Sequence, residues 1–157
     1  MTLQQLRYAT MVAQTGTITE AAKKLTKDDG SQYGLCLRND NNQAGYYNLI
    51  YDNGGYIIND DKTKSGMDDP KTVEAMEMLE GWIKDGVLPP IETMSENGED
   101  VLLESGKVAM VPQGSWMIAA FRDNEYTAEN CDCVELPKSA TTGRRASLYN
   151  GLGWAAS

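Results

Sequence analysis

The sequence predicts an α/β fold, with helices packed on short buried strands, and three stretches carry that prediction. In the first, Glu99–Ser105 has helical spacing, and Gly106 is the residue type that ends a helix in the left-handed conformation. Lys107–Val111 (KVAMV) follows, short, apolar and β-branched at two positions, so it reads as a buried strand. Pro112 and Gly114 stop that strand, and Ser115 is placed to N-cap a helix running to about Phe121. In the second stretch, Tyr33–Leu37 (YGLCL) reads as another buried strand with a polar exit loop, Arg38–Asn42. The third is a helix opened by Asp69 and Pro70 and closed by Gly86: Asp as N-cap, Pro at the first helical position, Gly past the end.

The remaining elements follow in order. Leu3, Leu6, Ala9, Val12 and Ala13 make a 3.6-residue stripe that Gly16 ends, and Thr17 or Thr19 caps a second helix, Thr19–Leu25. Gln43–Asn53 reads as a helix with Tyr47, Ile50 and Tyr51 on one face and Gly54-Gly55 as its stop. Tyr56–Ile58 and the polar Asn59–Lys64 read as a β-hairpin, and its acidic tip lacks the ligand order, glycine and closing glutamate of a calcium loop. In the Asp69 helix, Val73, Met76, Leu79 and Ile83 form the predicted stripe, with Met78 and Trp82 beside it, Trp82 in the core. Cys131–Leu136 reads as a strand ending at Pro137, and Lys138–Ser147 as a polar loop. Leu148–Ser157 is a glycine-rich run with Trp154 assigned to the core.

Composition narrows the function classes. At 157 residues the chain suits one domain with a real core, and 41% hydrophobic with 24% charged residues is ordinary for a globular protein. The net charge of −9 argues against nucleic acid or an anionic membrane as the main partner, although Arg7, Lys23 and Lys24 against Glu20 give the first 25 residues a small basic excess. With no histidine, Ser-His-Asp and Cys-His catalysis and histidine metal sites are excluded. Cys36, Cys131 and Cys133 are odd in number, and Cys131-Asp132-Cys133 lacks the two-residue spacer of zinc knuckles; on a strand both point to one face, as small apolar residues would. No catalytic, cofactor or metal site is expected. No run approaches the ~20 apolar residues of a membrane span.

Two resemblances sharpen the reading. MTLQQLRYATMVAQTGTITEAAKKL resembles the opening of LysR-type transcriptional regulators, with their first helix, Gly-Thr turn and "AA..L" helix. The recognition helix that such a head needs does not follow TKDDGSQYG, so no DNA-contacting residue is carried over and DNA is not an expected partner. From Ala21 onward the chain resembles family 1 extracellular solute-binding proteins, the maltose-binding class of ABC importers, most specifically in ESGKVAMVPQGSW and DDPKTVEAMEMLEGWIKDGVLPP. AAKKL belongs to either, so the expected organisation is a regulator-like helical segment at 1–25, an apparent fusion, joined to a solute-binding second lobe at 21–157. An ordinary helical pair is the alternative. The implied fold is a single, truncated, type II periplasmic-binding-protein-like lobe with an extra N-terminal helical segment.

The resemblance also implies the site. Trp116, by its residues alone either a core anchor or a helix-start platform beyond a strand end, becomes the indole that stacks on a sugar ring. Asn41, Asn42, Gln43, Tyr46 and Tyr47 become the exit-loop and helix-start groups, and Asn150 and Gly151 the cleft-lining positions. Asn42-Gln43-Ala44 replaces the acid-Pro-Tyr triplet of maltose-binding protein, which puts the same ligand in doubt, while side-chain amides still suit vicinal hydroxyls. The implied function is a carbohydrate-binding lobe of an ABC transporter, weak or inactive as a fragment. Its implied partners are a sugar or oligosaccharide, the transporter permease, and further copies of itself through an exposed sheet edge. The alternatives are a regulator-like protein with an incomplete DNA-binding segment and a ligand-sensing lobe, and, least supported, an enzyme. The family is extracellular or periplasmic; Gln4, Gln5, Arg7 and Gln14 interrupt any secretory signal, which predicts a cytoplasmic location for the chain as written.

Overall fold

The computed structural model describes residues 14–15, 17–38, 45–136, 138–139 and 141–147. Among the described residues the helices follow in the order α1 (Ile18–Leu25), α2 (Tyr47–Asp52), α3 (Pro70–Lys84), α4 (Ile91–Glu96), α5 (Glu99–Glu104), α6 (Ile118–Asp123) and α7 (Glu125–Asn130), with a 3-10 turn at Ser115–Met117 leading into α6.

Local chemistry sets several of these ends. The Thr17 hydroxyl accepts the Glu20 N–H at 3.2 Å and opens α1, a continuous helix through the shared AAKKL segment, with Ala21, Ala22 and Leu25 buried. Asp69 Oδ1 accepts the Lys71 N–H at 2.9 Å beside Pro70, and Gly86 takes φ +67° beyond the end of α3. Gly106, at φ +70°, ends α5 as the sequence implies. The α6 start departs from expectation: Gly114 precedes the 3-10 turn, and no side chain caps it, so Ser115 is not the cap. α7 has no sequence counterpart above; Asn124 Oδ1 caps it through the Thr127 N–H at 3.0 Å.

The α/β expectation is overturned. Among the described residues there is no strand and no sheet, only isolated bridges at Tyr33–Val108 (parallel) and Ile58–Ser65 (antiparallel). Tyr33 makes both bonds of a parallel pair, its N–H donating to Lys107 O and its carbonyl accepting from Ala109 N–H, each at 2.9 Å. A ladder would next carry the Leu35 N–H to Ala109 O. Instead Leu35 turns to Val87 O at 3.4 Å, and the Cys36 N–H reaches Met110 O at 3.0 Å, which keeps the offset of the Tyr33 pair but falls on a residue that the alternation of a ladder would leave facing away. The pairing therefore stops after one bridge. Cys131–Leu136 is likewise no strand. The periplasmic-binding-protein-like lobe read from the sequence needs a sheet that these residues do not build, and the open edge behind the expected self-association is not formed among them.

The predicted strands still supply the core, as extended chain. Leu35, Cys36, Leu37 and Val108 pack with Ala22, Trp82, Val87, Leu88, Met94, Leu102 and Leu103. The α3 face matches the predicted stripe at its C-terminal half, where Leu79 and Ile83 pack part-buried against the core beside Met78 and the buried Trp82, whereas near its start Thr72 and Ala75 are buried and Val73 is 43% exposed. Hydrogen bonds hold this start. The Thr72 hydroxyl accepts from Tyr56 N–H and donates to Tyr56 O, both at 3.2 Å, and Asn53 Nδ2 donates to Lys71 O at 2.9 Å.

Gly34 lies so close to α1 that a Cβ there would sit 1.9 Å from the Ala22 carbonyl oxygen. Gly86 has open space around its Cβ direction and only its positive φ to satisfy. Gly34→Ala is therefore expected to cost more than about 3 kcal/mol or to prevent folding, whereas Gly86→Ala costs about 1 kcal/mol. Urea unfolding of the two variants checks the order.

Candidate functional site

Three segments meet at one buried carboxylate. Glu99, the first residue of α5, has a side chain only 3% exposed. Its Oε1 accepts from Arg38 Nη1 at 3.1 Å and from Gln113 Nε2 at 2.6 Å. The Gln113 side chain folds back, its Oε1 accepting the Gly114 N–H at 2.9 Å. Arg38 ends the extended run that leads into residues 39–44, and Gln113-Gly114 leads into the turn that carries Trp116. Glu99 thus ties the base of the predicted exit loop to the base of the predicted sugar platform. Sequence reasoning missed this network, because Glu99 reads simply as a first-turn acid of α5.

Trp116 stands on that turn with 54% of its surface exposed. A Cβ on Gly114 would fall 2.2 Å from the outer ring atoms, so the indole lies over Gly114 and the glycine makes room for it. Ile118, the first residue of α6, is also exposed, at 56%. Trp82 contrasts with it: buried in α3, as predicted for a core indole. Trp154 lies outside the described residues.

Tyr46 and Tyr47 are half-buried at the start of α2, with ring centroids 5.1 Å apart and planes at 84°. Burial, and secondarily Tyr47 beside it, pushes the Tyr46 phenol above its usual pKa, so it remains a hydrogen-bond donor. Together they form one wall of an open groove of about 490 Å³ whose other wall is the hairpin, with Ile57, Ile58, Lys62, Thr63, Lys64, Ser65 and Met67. Trp116 is not among the groove's lining residues. Asn41, Asn42, Gln43, Asn150 and Gly151 lie outside the described residues.

The rest of the predicted polar loop is docked. The Thr142 hydroxyl donates to the Asp52 carbonyl, the Ala146 N–H donates to the Asp52 carboxylate, and Arg145 pairs with Glu135. Burial raises the Asp52 pKa against the opposing pull of that Ala146 N–H and of Arg145. The three cysteines differ: Cys36 is buried, Cys131 is part-buried against the core, and Cys133 is exposed, so Cys133 is not the small core residue the strand reading made it. Among the described residues no group of three or more Cys, Asp or Glu is placed to hold a metal ion, and no helix is long and apolar enough to cross a membrane.

No family model matches the chain, and no curated protein matches it. Among solved structures it is similar to the ABC substrate-binding protein Lmo0181 from Listeria monocytogenes in complex with cycloalternan, with a TM-score of 0.59 and 26% sequence identity. The match covers 74% of this chain and 33% of that one, so the chain spans about a third of the length of the protein it matches. This likeness supports the solute-binding resemblance. Nothing in it bears on the regulator-like opening, of which residues 1–13 lie outside the described residues.

Two outcomes follow from the site's chemistry. Glu99→Ala strands the Arg38 and Gln113 donors and is expected to lower stability by about 2–4 kcal/mol, against about 1 kcal/mol for Glu99→Gln, which keeps the acceptor; chemical denaturation measures both. Burial, then the nearby Glu99 charge, pushes the Cys36 thiol up to about 12. A folded pKa raised above the unfolded value near 9 means stability is intact below pH 9 and lost as pH rises from about 9 toward 12. At pH 8, iodoacetamide should label Cys133 and leave Cys36 unmodified until urea is added, as read by mass spectrometry.

Proposed function

We propose that this chain is a carbohydrate-binding part of an ABC transporter substrate-binding protein, with an oligosaccharide as ligand and the transporter's permease as its partner in uptake. The observation that carries the proposal is the structural likeness to a substrate-binding protein solved with the saccharide cycloalternan. Trp116 supports it. An exposed indole fixed over a glycine turn offers a flat apolar face for the C–H face of a sugar ring, and a core tryptophan offers none. The Glu99 network supports it in turn by fixing the turn on which the ring stands. Ring stacking of this kind is worth about 1 kcal/mol beyond the area buried. With half its ring open to solvent, Trp116 is one side of a contact, so binding to the chain alone is weak.

Isothermal titration against a panel of mono- and oligosaccharides at millimolar protein tests this. Heat from at least one oligosaccharide is expected, and Trp116→Ala should weaken that binding by at least about fivefold, the equivalent of 1 kcal/mol. Because Trp116 is half exposed, its removal leaves the core intact, and unfolding curves should coincide. Absence of heat from every saccharide defeats the proposal.

A further inference from the structure

The groove between α2 and the hairpin carries a charge pattern opposite to that of the chain. Aspartates and glutamates outnumber lysines and arginines 23 to 14, yet among the described residues the charged ones lining this groove are both lysines, Lys62 and Lys64. Lys23, Lys71 and Lys84 each pair with a carboxylate: Asp85 at 3.0 Å, Glu74 at 2.7 Å and Glu80 at 2.7 Å. Among the described residues Lys62 and Lys64, like Lys24, Lys27, Lys107 and Lys138, have no such partner, and what sets these two apart is that both line one groove. Asp60 and Asp61 share the hairpin tip but do not line the groove.

The lysines stand on a built turn. Asn59 Oδ1 accepts the N–H groups of Thr63 (2.9 Å) and Lys64 (3.0 Å), and the Asn59 carbonyl accepts the Lys62 N–H at 2.9 Å. Lys62 takes φ +57°, a left-handed conformation that glycine adopts without penalty, so a lysine there is costly to the fold. The opposite wall is the perpendicular Tyr46–Tyr47 pair, Ile57, Ile58 and Met67 give apolar surface, and Thr63 and Ser65 add hydroxyls. Aromatic rings, hydroxyl-bearing residues and two exposed lysines line one groove.

We propose that this groove is a second saccharide site, separate from Trp116, which takes a sugar bearing an anionic substituent: the ring lies against Tyr46 and Tyr47, and the charged group between Lys62 and Lys64. The inference rests on the saccharide reading above for the class of ligand and adds its charge. Carboxylate, sulfate and phosphate share the required chemistry, and the choice of probes separates them. Charge-assisted hydrogen bonds to lysine supply the selectivity, and salt screens them at an exposed groove.

The test titrates the chain with a galacturonate oligosaccharide, a sulfated disaccharide, glucose 6-phosphate, inorganic phosphate and a neutral oligosaccharide, in low salt and in 0.5 M NaCl. At least one anionic sugar should bind about fivefold or more tighter than the neutral one in low salt, with the advantage shrinking in high salt. Lys62→Gly removes the ammonium while relieving the backbone, so it should fold at least as stably and still lose about three- to tenfold in anionic-sugar affinity. Lys64→Gln should lose a similar factor, and Trp116→Ala should leave the anionic preference unchanged. No anionic preference, a preference that survives Lys62→Gly with Lys64→Gln, or inorganic phosphate binding as tightly as the charged sugars would each overturn the proposal. Neutral-sugar binding that depends on Trp116 without anionic preference overturns this inference and leaves the function above standing. Silence from every saccharide overturns both.

Discussion

A carboxylate removed from water must be met by donors, and the geometry around the candidate site follows from how Glu99 meets that demand. Removing a charged group from solvent costs several kcal/mol unless hydrogen bonds replace the lost water. Arg38 and Gln113 supply those bonds from segments 61 and 14 residues away. Neither donor can leave without stranding the other groups, so the extended run ending at Arg38, the start of α5 and the turn before Trp116 are held at fixed separations. The same charge reaches the Cys36 thiol and helps keep it protonated. A single acid therefore couples core chemistry to the placement of a surface indole.

Where the chain's chemistry is local, the sequence is a good guide. Asp69, Pro70 and Gly86 bound α3 because a cap, a fixed φ and a left-handed stop act over a few residues. Glu99 to Gly106 is legible for the same reason, and so is the turn of the hairpin, closed by the Asn59 side chain. The sheet was not legible, because its failure is tertiary. YGLCL and KVAMV have strand composition and do lie side by side, but Gly34 is pressed against the Ala22 carbonyl and Leu35 is drawn to Val87, so the alternation of ladder bonds breaks after Tyr33. Only the first turns of α3 depart from the side-chain stripe, and there Thr72 and Asn53 make hydrogen bonds to Tyr56 and Lys71 that hold Thr72 rather than Val73 inward. α7, EYTAEN, has no apolar period at all, and its one signal was the Asn124 cap.

The site was legible to a different degree at each residue. Trp116 and Trp82 are the same residue type, and only their settings separate them: one follows a Pro-Gln-Gly turn that breaks the packing, the other lies mid-helix among apolar neighbours. The resemblance marks the two tyrosines as helix-start groups for a sugar, and the structure adds that they share a groove with a hairpin whose lysines carry no motif. Spacing identifies residues that share an element. It does not identify those that share a groove across 10 to 20 positions.

Magnitudes decide what such a surface can do. A millimolar dissociation constant corresponds to about 4 kcal/mol, and one stacked ring supplies only a quarter of that beyond its buried area. An exposed indole alone therefore gives selectivity for ring-shaped ligands without appreciable affinity. Additional contacts must come from groups that lose little on binding, and preorganised ones lose least. The Asn59 turn and the Glu99 network are such preorganising devices, each spending buried or backbone hydrogen bonds to hold a side chain outward. In both places polar contacts position surface side chains rather than close the core, which is the preorganisation that the proposed contacts with a sugar would draw on.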